Sequence, residues 1–166
     1  MRTLIIATAA ITLAATVANA ETFPVITNQT VLQECGDCHM AYPPQTLPKR
    51  LWGNMINNLA NHFGEDASLD PARVAEISTY YKQNASDVSA VRAAKKWRAS
   101  GTFTRISDAP RFVKKHGTCA PAVWTHEKVK SKANCLACHS TMQTDGSTRE
   151  NISFLPVSLQ RKCGDD

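Results

Sequence analysis

The pentapeptide Cys-x-x-Cys-His occurs twice, as Cys35-Gly36-Asp37-Cys38-His39 and as Cys135-Leu136-Ala137-Cys138-His139. This spacing is the attachment signature of c-type haem. The two thiols add across the two vinyl groups of one macrocycle, and the histidine that follows is placed to bind the iron as proximal ligand. The residues flanking the two copies do not match, so a chemical device is repeated and not a fold. Four of the six cysteines are thereby assigned, Cys35 and Cys38 to one haem c and Cys135 and Cys138 to another.

Other uses of Cys-x-x-Cys fit less well. A thioredoxin-type redox pair sits in a βαβ context, and no strand alternation is visible here. A zinc site would recruit the same cysteines and histidines, and these do not divide into tetrahedral sets. The start of the chain agrees with haem attachment, which takes place outside the cytoplasm. Arg2, an apolar run from Leu4 to Val17 and the small-residue site Ala18-Asn19-Ala20 read as a signal peptide over residues 1–20, cleaved after Ala20. The run is short of the roughly 20 apolar residues of a membrane span. A soluble protein exported to the periplasm is expected, with no stable membrane insertion.

Each iron needs a sixth ligand unless it is a reactive centre, and histidine or methionine would supply it. Beyond His39 and His139, the histidines are His62, His116 and His126. Met40 and Met142 follow their proximal histidines too closely to reach the opposite haem face. Met55 falls on an apolar helical stripe, where methionine is ordinarily packing. His62 is the candidate for the first haem. For the second, His116 and His126 both remain open on residue arguments alone.

Periodicity gives the rest of the organisation. A short helix is expected over 29–39, running into the first motif. Tyr42-Pro43-Pro44 predicts an extended turn. Leu51, Met55, Leu59 and Phe63 predict an amphipathic helix over 49–63 with His62 on its apolar side, ended by Gly64. Asp70-Pro71 is a strong helix start, with Val74, Ile77 and Tyr81 as the stripe of a helix to about Asn84. Asp87 predicts the cap of another helix carrying Val88, Val91 and Trp97 and stopped at Ser100-Gly101. Later pieces are shorter: 110–116, a turn at Val123-Trp124, and a helix beginning near Lys132. Residues 140–166 show no periodicity and read as loop and tail. The chain divides as 21–95 and 96–166, one haem unit each.

Charge is uneven. Residues 21–91 carry a balance of −4 and residues 92–132 a balance of +9. In an exported protein such a basic block argues for an acidic protein partner before nucleic acid, or for a face that offsets haem propionates.

Longer runs resemble a known family. Cys35-Gly-Asp-Cys-His-Met-Ala-Tyr-Pro-Pro, Asn61-His62-Phe63-Gly64-Glu65-Asp66-Ala67-Ser68-Leu69-Asp70, Arg105-Ile106-Ser107 with Pro110, Phe112 and His116, and Lys130-Ser131-Lys132-Ala133-Asn134-Cys135 are similar to the bacterial dihaem cytochromes c. The resemblance covers about residues 30–140. It implies a mainly α fold, with a class I cytochrome c-like N-terminal haem domain and a C-terminal haem domain with little regular structure. It implies two bis-histidine haems of low potential, ligated by His39 with His62 and by His139 with His116, with His126 as the alternative to His116. It also implies redox partner proteins: a small oxygen-binding haem protein and a membrane cytochrome b.

Bis-histidine ligation makes the chain an electron carrier and not an enzyme, because no iron site is left open. A small peroxidase-like haem enzyme or a gas or redox sensor would need an open site, and there are enough histidines to close both. Cys119 and Cys163 lie outside the family pattern. As the two remaining thiols of an exported chain they are expected to form a disulfide.

Overall fold

The computed structural model of the protein describes residues 20–161 and residue 163. The expected signal peptide lies outside these residues, apart from Ala20. The architecture is mainly α-helical, and among the described residues the only β-type pairing is two isolated bridges, Thr22 with Ser147 and His62 with Glu65.

Helix α1 (Gln29–Gly36) starts where the Asn28 side chain accepts from the Val31 amide at 2.8 Å. It stops inside the first pentapeptide, three residues short of the expected His39 end. Pro43 is extended as expected, with φ −57° and ψ 130°, but Pro44 is not. Pro44–Thr46 is a turn of 3-10 helix, for which a proline at the first position has the right φ.

Helix α2 (Lys49–Ile56) is shorter than the helix expected over 49–63. It ends at Asn57-Asn58, whose short amide side chains compete with the helical backbone. A single 3-10 turn, Leu59–Asn61, follows. The buried face of α2 is Leu51, Trp52, Gly53 and Ile56, while Phe63 is left exposed.

Helix α3 (Pro71–Asn84) begins as expected, with Asp70 accepting from Ala72 and Arg73. Its Ile77 and Tyr81 close a first core with Val31, Leu47, Leu51, Trp52 and Ile56.

Helix α4 is only Arg92–Trp97. Asp87 does not cap it. The Asp87 carboxylate accepts from the Lys49 amide at 2.7 Å, so it serves the start of α2 instead. Val88 and Val91 are exposed as a result. Helix α5 (Pro110–His116) is as expected, and α6 (Pro121–Trp124) is the turn expected at Val123-Trp124. The helical turn at the second pentapeptide begins at Cys135, not near Lys132, and is 3-10 over Cys135–Ala137. The segment after residue 140 is not wholly irregular. It holds α7 (Met142–Asp145) and α8 (Val157–Gln160), each too short to show a period.

Two further cores hold the rest. One joins Phe23, Met40, Ala93, Trp97, Ala109, Phe112 and Met142, so residues beside both pentapeptides share it. The other is Val123, Val129 and Leu155. The N-terminal segment is laced to the chain after α7: Phe23 donates to Gly146 O at 2.9 Å and Thr148 donates to Glu21 O at 2.8 Å. Gly146 has φ 74°, and a Cβ there would collide with the Phe23 carbonyl, so the lacing requires glycine. Cys119 and Cys163 form a disulfide across a sequence separation of 44.

Candidate haem sites

The four pentapeptide cysteines are free while the other two are bonded to each other. Burial pushes the Cys135 thiol up to about 11 and raises Cys35 and Cys138 as well. A thiol–disulfide catalyst would carry the opposite shift. Among the described residues, no three His, Cys, Asp or Glu side chains converge as a metal cluster. In sequence each pair of cysteines is followed by its own histidine.

At the first site, His39 follows α1 and its Nδ1 lies 2.7 Å from the Met40 carbonyl. That contact makes Nδ1 the donor and leaves Nε2 as a free lone pair. His62 is not on α2. It opens a tight turn in which it donates to Glu65 O at 2.8 Å and Glu65 donates back to His62 O at 3.2 Å. The two central residues, Phe63 and Gly64, have φ 58° and 105°. Positive φ at both positions marks a mirror-image turn, and Arg105 lies over the Phe63 ring at 4.0 Å. The turn brings His62 to His39, ring centroids 6.1 Å apart and planes 29° apart. Burial, then the charges of His39 and Arg105, hold His62 below its ordinary value, which favours the neutral ring a metal requires.

At the second site, His116 ends α5 and its Nδ1 lies 3.0 Å from the Phe112 carbonyl one turn earlier. Its ring stacks on Phe112 at 4.1 Å. It faces His139 with centroids 6.0 Å apart and planes at 87°. Burial lowers both imidazoles. His139 Nδ1 is buried without a hydrogen bond; the backbone at Thr148 and Arg149 is close enough to bias its charge but lies outside bonding geometry. His126 is elsewhere. Its ring packs on Phe154 at 5.6 Å, and its Nδ1 accepts from the Lys128 amide at 3.3 Å.

The centroid separations of the two pairs, 6.1 and 6.0 Å, suit one shared metal each. Opposed imidazole nitrogens each about 2.0–2.1 Å from a common ion put the ring centroids about 6 Å apart. A cavity of about 350 Å³ adjoins the second pair, lined by Cys135, Cys138, His139, His116, Phe112 and Trp124 among others. Its lining is mixed, with Phe112, Trp124 and Val129 beside the charged Lys96, Arg111 and Lys132.

Residues 31–146 match the family model described as dihaem cytochrome c. The chain belongs to the dihaem cytochrome c family. Two covalently bound haem c groups, each with its iron, come with that membership, and the protein is a haem electron-transfer protein. A dihaem cytochrome c from Rhodobacter sphaeroides is 42% identical, with 72% of this chain and 95% of that chain covered at a TM-score of 0.63. A second structure from the same organism gives 40%, 72%, 96% and 0.59. A dihaem cytochrome c from Shewanella baltica gives 32%, 72%, 85% and 0.58. No curated protein sequence matches significantly.

Three residues with roles at the sites were not singled out from sequence. Tyr42 stacks on His39 with centroids 4.7 Å and planes 20° apart. Glu21 and Arg111 form an ion pair beside the second cavity, joined by Lys96 at 3.1 Å and by Trp97 Nε1 at 2.9 Å. Glu21 and Arg111 are defined by partners far along the chain, which a local pattern does not reveal.

Proposed function

We propose that the protein is a periplasmic, low-potential electron carrier with two bis-histidine haems, attached at Cys35 and Cys38 and at Cys135 and Cys138. The axial pairs are His39 with His62 and His139 with His116. The observation that carries this reading is the pair of facing imidazoles, 6.1 and 6.0 Å apart, one pair at each pentapeptide. When bound, haem iron supplies the one-electron chemistry. The chain's own residues do the rest. The Met40 and Phe112 carbonyls fix the tautomers of His39 and His116. Phe112 and Trp124 give the second site apolar lining. Two nitrogen ligands on each iron favour its oxidised form over a methionine donor and leave no position for substrate. Export is supported by the leader-like start of the sequence, and among the described residues no helix is long and apolar enough to cross a membrane.

The test is spectroscopic. The ferric protein should show two low-spin signals that differ, because near-parallel ligand planes at 29° and crossed planes at 87° split the iron orbitals differently. The ferrous protein should take up no carbon monoxide. A high-spin ferric component, or carbon monoxide binding, would move the assignment to the open-site enzyme or sensor.

The partners we propose are redox proteins, a small oxygen-binding haem protein and a membrane cytochrome b, with docking through the basic block. Lys95, Lys114 and Lys115 are exposed, and the exposed Val113 lies beside the last two. Lys96 is engaged by Glu21 and contributes less to steering. Electron transfer to an acidic partner should slow steadily as ionic strength rises toward about 0.15 M, where the screening length is about 8 Å. A stopped-flow rate that is flat from low salt upward would leave the block as solvated surface.

A further inference from the structure

Tyr42 lies where the two haem sites meet. Its ring lies against His39, nearly parallel to it. Its hydroxyl donates to the Ala133 carbonyl at 2.7 Å, across 91 residues of sequence and two positions before Cys135. Its own carbonyl accepts from the Tyr81 hydroxyl at 3.1 Å, so its backbone is fixed from the α3 side. The side chain packs against both of the larger cores. A space of about 300 Å³ lies alongside, bounded by Cys38, His39 and Met40 on one side and by Ala133, Asn134 and Cys135 on the other. Of the side chains touching His39, Tyr42 is one that also bonds directly to the loop leading into the second pentapeptide.

We propose that Tyr42 is the positioning residue that couples the two haem sites. Its ring holds the plane of the His39 imidazole, and its hydroxyl tethers that ring to the loop that carries Cys135. The proposal rests on the reading of His39 as an axial ligand. The two functions of the side chain are separable. Phenylalanine keeps the stack and loses the tether, and leucine loses both. A hydrogen bond is also a shorter link for an electron than the open space beside it, so the tether bears on exchange between the haems as well as on their spacing.

The experiment uses the mature dihaem protein and the variants Tyr42→Phe and Tyr42→Leu, each first shown by mass to carry two haems. Two quantities are read. One is the low-temperature electron paramagnetic resonance spectrum of the ferric form. The other is the rate of electron exchange between the haems, from broadening of the haem-methyl proton resonances at partial reduction. Tyr42→Phe should leave the first-haem g values in place and slow the exchange severalfold. Tyr42→Leu should shift those g values and slow the exchange as well. Wild-type exchange in Tyr42→Phe overturns the tether, and wild-type g values in Tyr42→Leu overturn the hold on the ring. Failure of the underlying reading is seen separately, since the unmutated protein would then lack a low-spin signal from the first haem.

Discussion

Replacing His116 by alanine should open one haem to carbon monoxide, while replacing His126 should open none. The contrast follows from where the two side chains lie. His116 faces His139 across 6.0 Å and has its Nδ1 occupied by the Phe112 carbonyl, so its Nε2 is the nitrogen left to bind metal. His126 is turned to Phe154 and accepts from the Lys128 amide. In His116→Ala both thioether links remain, so haem content is unchanged and the vacated position is the only loss. The expected readout is a change from no uptake to one carbon monoxide per molecule in the ferrous difference spectrum. His62→Ala should do the same at the other haem, and the double variant should take up two. Uptake by His126→Ala with none by His116→Ala would reverse the assignment of the second axial pair.

Glu21→Ala should cost about 3 kcal/mol of stability, at the lower end of the cost of breaking a buried ion pair. The side chain of Glu21 is 9% exposed and that of Arg111 is 15% exposed, so removing the carboxylate strands a cation that water barely reaches. Arg111 Nε is buried with no hydrogen-bond partner even in the intact pair. Burial alone would raise the Glu21 carboxyl, but hydrogen bonds from Arg111, Trp97 and Lys96 outweigh it and hold the group below its ordinary value. A carboxyl depressed in the folded state contributes stability that is present above the unfolded value of about 4.3 and is lost as pH falls through the folded one. Glu21→Gln should therefore lose most of its stability deficit in that acid range, and its unfolding curve should converge on that of the parent. Denaturant unfolding at neutral and acid pH measures both effects. A neutral-pH deficit below about 0.5 kcal/mol would place the pair among ordinary surface contacts.

The parts of this fold that sequence conveys are the ones set by neighbours in the chain. Asp70-Pro71 announces α3, and Pro110 with Gly117 brackets α5, because capping acts within one turn. The two pentapeptides are legible for the same reason. What fails is the reading of long-range arrangement as local pattern. The spacing of Leu51, Met55, Leu59 and Phe63 is helical, yet the helix stops at Ile56 and a turn delivers His62 instead. His62 is proposed as a ligand through the iron's need for one and not through the helix phase, so the shorter helix leaves that proposal in place. Asp87 has the chemistry of an N-cap and acts as one, but for a helix that precedes it by 38 residues. The Tyr42 tether and the Glu21 ion pair leave no local mark, since the groups they reach are 91 and 90 residues away.

The Cys119–Cys163 bond closes a ring of backbone, and the whole second pentapeptide lies inside it. A protease that cuts once within that ring releases no fragment. The haem-bearing stretch stays joined to the rest of the chain through whichever side of the cut leads back to the disulfide. Exposed lysines at positions 128, 130 and 132 are obvious places for such a cut. The bond therefore acts as a restraint against loss of the cofactor segment after damage, and a nicked molecule stays one covalent species until it meets a reductant.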